Sequence, residues 1–280
     1  MASISDRLRA LGVSAGLDGL KNKPAASPET LSDNLEKQLP GRLISNKSGK
    51  FFLIETVYPD RYEHGKITLS ESFPLDNLAL CSGLQVIKEM QLQSFAFIDT
   101  ETTGLSLGSG TYAFLIGVGR FIGNDFHLHQ LLMRDPLDET AQLRQLEEIL
   151  AKCEAVVTFN GKSFDLPLLQ TRFNAYHWPN PFQDYPHVDL LQLARKLWSA
   201  RLQNRTLGSL EHHILKMLRN EEDIPGWAIP QIYFDFLNTG IATPLRRVIY
   251  HNAIDIVSLA ALFSEISGVL ALSLIHISEP

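Results

Sequence analysis

Cysteine is scarce in this chain of 280 residues: Cys81 and Cys153 are the only two. They are too few for a disulfide framework, and they do not have the CxxC-type spacing of a zinc site. The N-terminus lacks the apolar run of a signal peptide, and no stretch approaches the roughly 20 apolar residues of a membrane span. A soluble cytoplasmic protein, without membrane partners, is therefore expected.

A large net charge of one sign is also missing. The formal net charge is -6, which would argue against nucleic acid as a partner if binding needed a uniformly basic surface. An enzyme, however, needs only a local basic path beside its site. Residues Arg195 to Arg219, the basic strip, contain six Lys or Arg and one Glu. Such a strip suits phosphate contacts, although the exposed faces of two helices have the same pattern.

Both ends of the chain differ in composition from its middle. Residues 1–48 are rich in Ser, Pro, Asn, Lys and Glu without sustained periodicity, so we expect a flexible extension. Residues 49–92 predict a small β-hairpin and linker, with His64 at the surface of its turn. Residues 271–280 form an atypical tail, and SLIHISEP resembles translated sequencing-adapter sequence, so we interpret the tail as an artefact.

The main domain is predicted over residues 93–270. Three strand-like runs, FAFIDT, YAFLIGVGRF and DFHLHQLLM, are separated by short turns and predict an antiparallel meander. Two alternations of helix and strand and a long closing helix from Pro244 to Leu270 follow. The order βββαβαβα predicts a mixed five-stranded α/β sheet flanked by helices. Its first strand should be central, with an open end beside the fourth strand.

The first strand ends in a pair of carboxylates within FIDTETTGL. Asp99 and Glu101 are two residues apart, so both side chains should point to one face of the strand. Between Ser94 and Gly119 there is no Lys or Arg to neutralise them, which favours a bound proton or cation. Hard oxygen ligands favour Mg²⁺ or Mn²⁺. An isolated DxE is also typical of a turn cap followed by an exposed Glu.

Two later motifs supply further candidates. In NGKSFDLPLL, Asp165 falls in the first helical turn, either as a residue favoured by the helix dipole or as a carboxylate that reaches the same opening. In IYHNAIDIVSL, His251 and Asp255 are four residues apart on one helix face, which suits a general base and a ligand, or an ordinary ion pair. Tyr250 competes with His251 for the role of base.

Together, the three motifs resemble the DEDD exonuclease superfamily. The wider sequence, from about Phe51 to Leu270, resembles its YprB-like ribonuclease H-like branch. The branch-typical segments are NGKSFDLPLL, HVDLLQLARKLW, RTLGSLE, DIPGWAIPQIYFDFLNTG and HNAIDIVSLAAL. The resemblance implies a ribonuclease H-like fold and a 3′-5′ exonuclease that hydrolyses phosphodiester bonds of DNA or RNA with two Mg²⁺ or Mn²⁺ ions. The substrate is expected to be a single-stranded 3′ end.

The resemblance also implies roles for individual residues. Asp99, Glu101, Asp165 and Asp255 match the metal-holding carboxylates, and His251 matches the catalytic base. Superfamily members usually place His five positions, or Tyr four positions, ahead of the last Asp. Here the two are exchanged, and we favour His251 because HNxxD resembles the branch's own form. The residues expected to bind substrate are Thr102, Thr103, Gly104, Leu105, Asn160, Lys162 and Arg205.

Two other functions remain open from the sequence. The same fold and metals would serve a structure-selective endonuclease, and a catalytically silent nucleic-acid-binding module is the second alternative. Trp198, Trp227 and Tyr233 suit either base stacking or the hydrophobic core. Asp189 suits either a structural cap or the site.

Overall fold

The computed structural model describes residues 35–70, 73–104 and 110–275. The strands are β1 (Arg42–Asn46), β2 (Gly49–Tyr58), β3 (Glu63–His64), β4 (Ile67–Thr68), β5 (Phe95–Thr102), β6 (Ala113–Ile122), β7 (Asp125–Leu132), β8 (Ala155–Thr158) and β9 (His187–Asp189). The α-helices are α1 (Asp76–Ser82), α2 (Glu139–Leu150), α3 (Asp165–Ala175), α4 (Leu190–Trp198), α5 (Leu207–Leu210), α6 (Ile229–Thr239) and α7 (Leu245–Ile275). Short 3₁₀ helices cover Gln85–Glu89, Leu92–Ser94, Pro136–Asp138 and Gly226–Ala228, and a π-helical turn covers Glu211–Leu215.

One mixed sheet organises the fold, with the strand order β1-β2-β7-β6-β5-β8-β9. β5 pairs antiparallel with β6 and parallel with β8, and β8 pairs parallel with β9. The predicted α/β class is confirmed, and the five predicted strands are joined by two more. Because β5 is flanked on both sides, its carboxyl end opens next to that of β8, where ligands of such sheets bind.

Alternation along β5 distributes its side chains between two cores. Phe95 and Phe97 pack on one face with Phe263 of α7. Ala96 and Ile98 pack on the other face with residues of α2 and α3. Side chains of a strand alternate with a period of two, so Asp99 continues the face toward α7 and Thr100 continues the face toward α3.

The flexible extension predicted over residues 1–48 is wrong for its last part. Residues 35–38 form a helical turn whose Leu35 is buried, as is Leu39 after it, and β1 pairs with β2. β1 is an edge strand with exposed polar side chains, so its sequence lacks the apolar run of a central strand. Residues 1–34 lie outside the described residues.

The hairpin predicted over residues 49–92 is also corrected. β2 pairs with β7 from Phe52 to Tyr58 and so extends the main sheet, and the hairpin consists only of β3 and β4. The buried residues at the centre of β2 alternate between two hydrophobic clusters, one on each face of the sheet. Phe51 and Leu53 pack in the cluster that also contains Ala96 and Ile98, and Phe52 and Ile54 pack in another. Its partner strand lies more than sixty residues away in the chain, and a local sequence pattern does not reveal such a pairing.

The closing helix α7 extends beyond its predicted end, to Ile275, and thus into the predicted tail. By length and composition its segment Leu245–Leu272 could cross a membrane, with a mean hydropathy of 1.8, which corrects the expectation that no stretch approaches such a span. Of its most apolar stretch, 72% is buried inside the protein. That burial is typical of a core helix, and Phe263 packs against Phe95 and Phe97 of β5.

Candidate active site

The first motif lies where β5 leaves the core. Asn252 of α7 donates a hydrogen bond from Nδ2 to Asp99 Oδ2 at 2.9 Å. Gln130 of β7 donates to Asn252 Oδ1 at 2.9 Å and so fixes the orientation of that amide. Gly117, opposite Asp99 on β6, leaves the necessary room, because a Cβ at this position would lie 2.4 Å from Asn252 Oδ1. Asp99 is thereby oriented by three elements of the fold.

Asp165 reaches β5 from the opposite face. Thr100 donates to Asp165 Oδ1 from its backbone nitrogen at 3.1 Å and from Oγ1 at 2.6 Å. The turn before α3 contains Asn160 in the left-handed region, with a φ of 62°. Asp189 accepts hydrogen bonds from the backbone nitrogens of Asn160 at 2.8 Å and Lys162 at 3.2 Å. Asp189 is therefore a structural cap of this turn, and Asp165 is the carboxylate beside β5.

The third motif occupies one face of α7, as its spacing predicts. His251 Nε2 lies 3.6 Å from Asp255 Oδ2. Asp255 is close enough to Asp99 and Glu101 for its charge to raise the pKa of both carboxyls. The Tyr250 hydroxyl instead accepts a hydrogen bond from the backbone nitrogen of Asn220 at 3.4 Å. The geometry favours His251 over Tyr250 as the group beside the carboxylates.

An arginine outside the three motifs joins them. Arg219 donates from Nη2 to Asp255 Oδ1, and its Nη1 lies 3.3 Å from His251 Nδ1. Glu211, only 1% exposed, accepts two hydrogen bonds of 2.7 Å from the same guanidinium. The last residue of the basic strip therefore turns inward and provides a fixed positive charge beside Asp255.

His64 lies behind this ion pair, so its predicted surface position is wrong. Its side chain is buried, and Nε2 lies 2.8 Å from Ser258 Oγ of α7. Ser258 donates to Glu211 Oε1 at 2.6 Å. Burial lowers the pKa of His64 to about 4, so the ring is neutral at physiological pH. The β3–β4 hairpin thus supports the carboxylate that holds Arg219.

The pKa of each motif carboxyl is raised, and burial is the largest cause in every case. The charges of Asp255 and Asp165 raise the pKa of Asp99 further, and Asp99 does the same for Glu101. The pKa of Asp165 rises to about 6, whereas Arg219 lowers that of Asp255 and offsets part of the burial effect. The cluster therefore favours a bound proton or cation, the condition that the motif spacing predicts.

A cavity of about 300 Å³ lies over the cluster and is lined by Asp99, Glu101 and Asp165. Among the described residues, no ready-made group of three or more His, Cys, Asp or Glu side chains has the arrangement of a metal site, and Asp255 is engaged by Arg219. The donor chemistry nevertheless fits a divalent cation, because hard carboxylate oxygens that repel one another are the ligands of Mg²⁺ and Mn²⁺.

A family model of the RNase H superfamily matches residues 96–267. The chain belongs to the RNase H superfamily. The matched segment begins in β5 and ends in α7, so it contains all four motif carboxylates. RNase H-like nucleases usually use divalent metals, which agrees with the carboxylate oxygens that line the cavity.

A relative of this chain is "Uncharacterized protein YprB" of Bacillus subtilis (strain 168), to which the chain is 34% identical over 218 residues. The alignment covers 76% of this chain and 52% of the relative, so the chain spans about half the length of that protein. The expected YprB-like, ribonuclease H-like membership is therefore confirmed.

Only some of the predicted substrate-binding residues of this RNase H superfamily member line the cavity. Thr102, Gly104 and Asn160 line the cavity, whereas Thr103, Lys162 and Arg205 are not among its lining residues. Arg205 instead donates from Nη1 to the backbone oxygen of Leu202 at 2.6 Å. Leu105 lies outside the described residues.

The three aromatic residues considered for base stacking differ in their burial. Trp198 and Tyr233 are buried, and the Tyr233 ring stacks on Phe114 with ring centroids 4.0 Å apart. Trp227 is 82% exposed. It follows Gly226, which lines the cavity. Only Trp227 of the three remains available for stacking on a base.

Sequence reasoning missed five residues around the site: Thr100, Glu211, Arg219, Asp223 and Asn252. Thr100 and Asn252 are immediate neighbours of predicted residues, and the periodicity of strand and helix was the signal that could have found them. Arg219 was visible only as one member of the basic strip. Glu211 and Asp223 each lie at one end of a branch-typical segment, but no spacing connects Asp223 with His251, which is 28 residues away.

Proposed function

We propose that this protein is a metal-dependent 3′-5′ exonuclease of the DEDD type, which hydrolyses DNA or RNA from a single-stranded 3′ end. The observation that carries the proposal is the convergence of four carboxylates from three elements. Asp99 and Glu101 come from β5, Asp165 from α3 and Asp255 from α7. All four have a raised pKa, and three of them line one cavity.

These four carboxylates would hold two Mg²⁺ or Mn²⁺ ions. When bound, the ions would neutralise the carboxylates and the substrate phosphate and would activate the attacking water. Two divalent cations carry about four positive charges, and the four ionised carboxylates carry about four negative ones. The loaded site would therefore be nearly neutral before a substrate phosphate enters. Asn252 and Thr100 support such binding, because their hydrogen bonds orient Asp99 and Asp165.

The remaining side chains handle protons and substrate. His251 is the proposed general base, and its Nε2 faces the carboxylate cluster. Thr102, Gly104 and Asn160 would surround the terminal nucleotide. A cavity of about 300 Å³ is at the small end of ligand sites, which suits one nucleotide at a chain end.

Phosphates farther from the cut would contact the basic strip. Four of its side chains are exposed: Arg195, Lys196, Arg201 and Lys216. Exposed Lys and Arg contribute to binding by displacing the counterions of nucleic acid, so affinity should fall as salt rises.

The decisive experiment uses single-stranded DNA and RNA labelled at either end, with Mg²⁺ or Mn²⁺ or with a chelator. Wild type should shorten 5′-labelled strands stepwise and release the 3′ label as a mononucleotide. Asp99→Ala should abolish both. Asp184→Ala, which removes an exposed carboxylate, is the matched control and should behave as wild type. Metal-independent degradation, or equal activity of wild type and Asp99→Ala, would refute the proposal.

Two further experiments separate the alternatives. Circular single-stranded DNA has no end, so its cleavage would indicate a structure-selective endonuclease. A gel-shift experiment with the same oligonucleotides tests for a catalytically silent nucleic-acid-binding module, which would bind them without cleaving them. Either result would replace the exonuclease proposal.

A further inference from the structure

His251 contacts two carboxylates that come from different parts of the chain. Its Nε2 faces Asp255 Oδ2 at 3.6 Å, and its Nδ1 lies 2.6 Å from Asp223 Oδ1. Asp223 belongs to none of the three carboxylate motifs. It lies in the segment between the π-helical turn that ends at Leu215 and the 3₁₀ helix that begins at Gly226.

The position of Asp223 is set by the helix that carries His251. Arg247, one turn before His251 on α7, donates from Nη2 to the backbone oxygen of Asp223 at 2.9 Å and from Nε to that of Glu222 at 2.9 Å. Arg219 Nη1 lies 3.5 Å from Asp223 Oδ1. One helix face therefore holds the backbone of Asp223 through Arg247 and its carboxylate through His251.

These contacts determine which nitrogen of a neutral His251 carries the proton. A carboxylate only accepts hydrogen bonds, so the 2.6 Å contact requires a proton on Nδ1. Arg219 Nη1 lies 3.3 Å from the same nitrogen, but its donation to an unprotonated Nδ1 would leave two acceptors facing each other across the 2.6 Å contact with Asp223. Nε2 is left with its lone pair directed at the carboxylate cluster, as a general base requires.

We propose that Asp223 is a positioning residue that orients His251 and fixes its tautomer with the proton on Nδ1. The inference rests on the proposed nuclease function. In the reaction, the attacking water would transfer a proton to His251 Nε2 while its oxygen bonds to phosphorus. The bond from phosphorus to the 3′ oxygen breaks, that oxygen takes up a proton, and His251 returns its proton to solvent. The Asp223 carboxylate would accept the hydrogen bond from Nδ1 throughout and stabilise the imidazolium.

The first test determines the tautomer of His251 and does not depend on catalysis. The full chain, with ¹⁵N-labelled histidine and without metal, is studied by long-range ¹H–¹⁵N correlation spectra, with His251→Gln to assign the signal. We expect the proton on Nδ1 in wild type and a loss of this preference in Asp223→Ala. Asp223→Asn keeps an acceptor oxygen and should largely restore it. Glu222→Ala, which removes a neighbouring exposed carboxylate, should leave the spectrum unchanged.

The second test measures kcat and KM on a 5′-labelled single strand. Groups that orient metal-binding histidines contribute about 10- to 100-fold to activity, and we expect Asp223→Ala to lower kcat by a similar factor. KM should change little, because Asp223 does not line the cavity. Asp223→Asn should lose less, Glu222→Ala should match wild type, and a thermal melt of each variant checks that it is folded.

The outcomes separate the inference from the function on which it rests. An active wild type whose tautomer and kcat are matched by folded Asp223→Ala overturns the role of Asp223 alone. A proton on Nε2 in wild type does the same. A wild type that degrades no substrate, while its tautomer responds as expected to Asp223→Ala, overturns the nuclease proposal and upholds the pairing.

Discussion

Replacement of Asp165 by Asn should stabilise the metal-free protein. Asp165 Oδ1 accepts both hydrogen bonds from Thr100, and an amide oxygen in the same place preserves them. The substitution therefore removes a negative charge from a buried cluster at little cost in hydrogen bonding. A residue that serves to bind metal is expected to behave in this way, because functional sites are often strained without their ligand.

The magnitude follows from the pKa of Asp165, which burial raises from 3.8 to about 6. A pKa shift of one unit corresponds to about 1.4 kcal/mol. Ionised Asp165 therefore destabilises the folded state by about 3 kcal/mol above pH 6. A buried amide retains part of the desolvation penalty. We therefore expect Asp165→Asn to raise the free energy of unfolding by about 1 to 3 kcal/mol.

The dependence on pH has a definite sign. The folded state holds the Asp165 proton more tightly than the unfolded state does, so this carboxyl has no effect below pH 3.8. Its penalty grows as pH rises from 3.8 to about 6 and is complete above that value. The advantage of Asp165→Asn over wild type should therefore be largest above pH 6 and should vanish toward pH 4.

Urea unfolding, followed by circular dichroism, measures the difference in EDTA and in Mg²⁺. A ligand present at about 100 times its Kd stabilises a protein by about 2.7 kcal/mol, so Mg²⁺ should stabilise wild type much more than Asp165→Asn. Asp189→Asn is the matched control and should destabilise the protein, because Asp189 accepts backbone hydrogen bonds on both oxygens. A less stable Asp165→Asn in EDTA above pH 6 would refute the reasoning.

Three further variants test other contacts. Arg219→Ala removes the cation that Glu211 holds and should lower the free energy of unfolding by about 3 kcal/mol in urea titrations, with Arg219→Lys losing less. Gly117→Ala places a Cβ 2.4 Å from Asn252 Oδ1, so it should cost about 1 to 3 kcal/mol and reduce cleavage of labelled strands while circular dichroism stays native. Glu139→Ala leaves the buried Arg172 without its carboxylate and should cost about 3 to 5 kcal/mol in the same titrations, with no effect on the metal dependence of cleavage.

Local periodicity was sufficient to predict much of the domain. The order of strands and helices from β5 to α7 followed from apolar spacing and turn residues, and the same reasoning placed Asp99 and Glu101 on one face. The spacing of His251 and Asp255 likewise predicted their common helix face. These features depend only on the repeats of strand and helix, which act within a few residues.

Pairings between distant segments were not predicted. The local pattern of residues 49–92 predicts a small β-hairpin, although β2 pairs with β7, and the composition of residues 1–48 predicts a flexible extension, although β1 pairs with β2. The choice of a strand partner depends on long-range contacts that a local pattern does not contain. The same limit applied to His64, whose apparent turn packs against Ser258 of α7.

The sequence by itself determined the α/β class, because apolar spacing and turns order the strands and helices. Its resemblance to the DEDD superfamily supplied the set of four carboxylates. Only the tertiary structure decided how these carboxylates are surrounded. It brought Asn252 to Asp99, Arg219 to Asp255 and Asp223 to His251. Folding alone brings together segments such as the loop around Asp223 and the helix that carries His251. Their contacts, not the motifs, set the orientation and charge of the site.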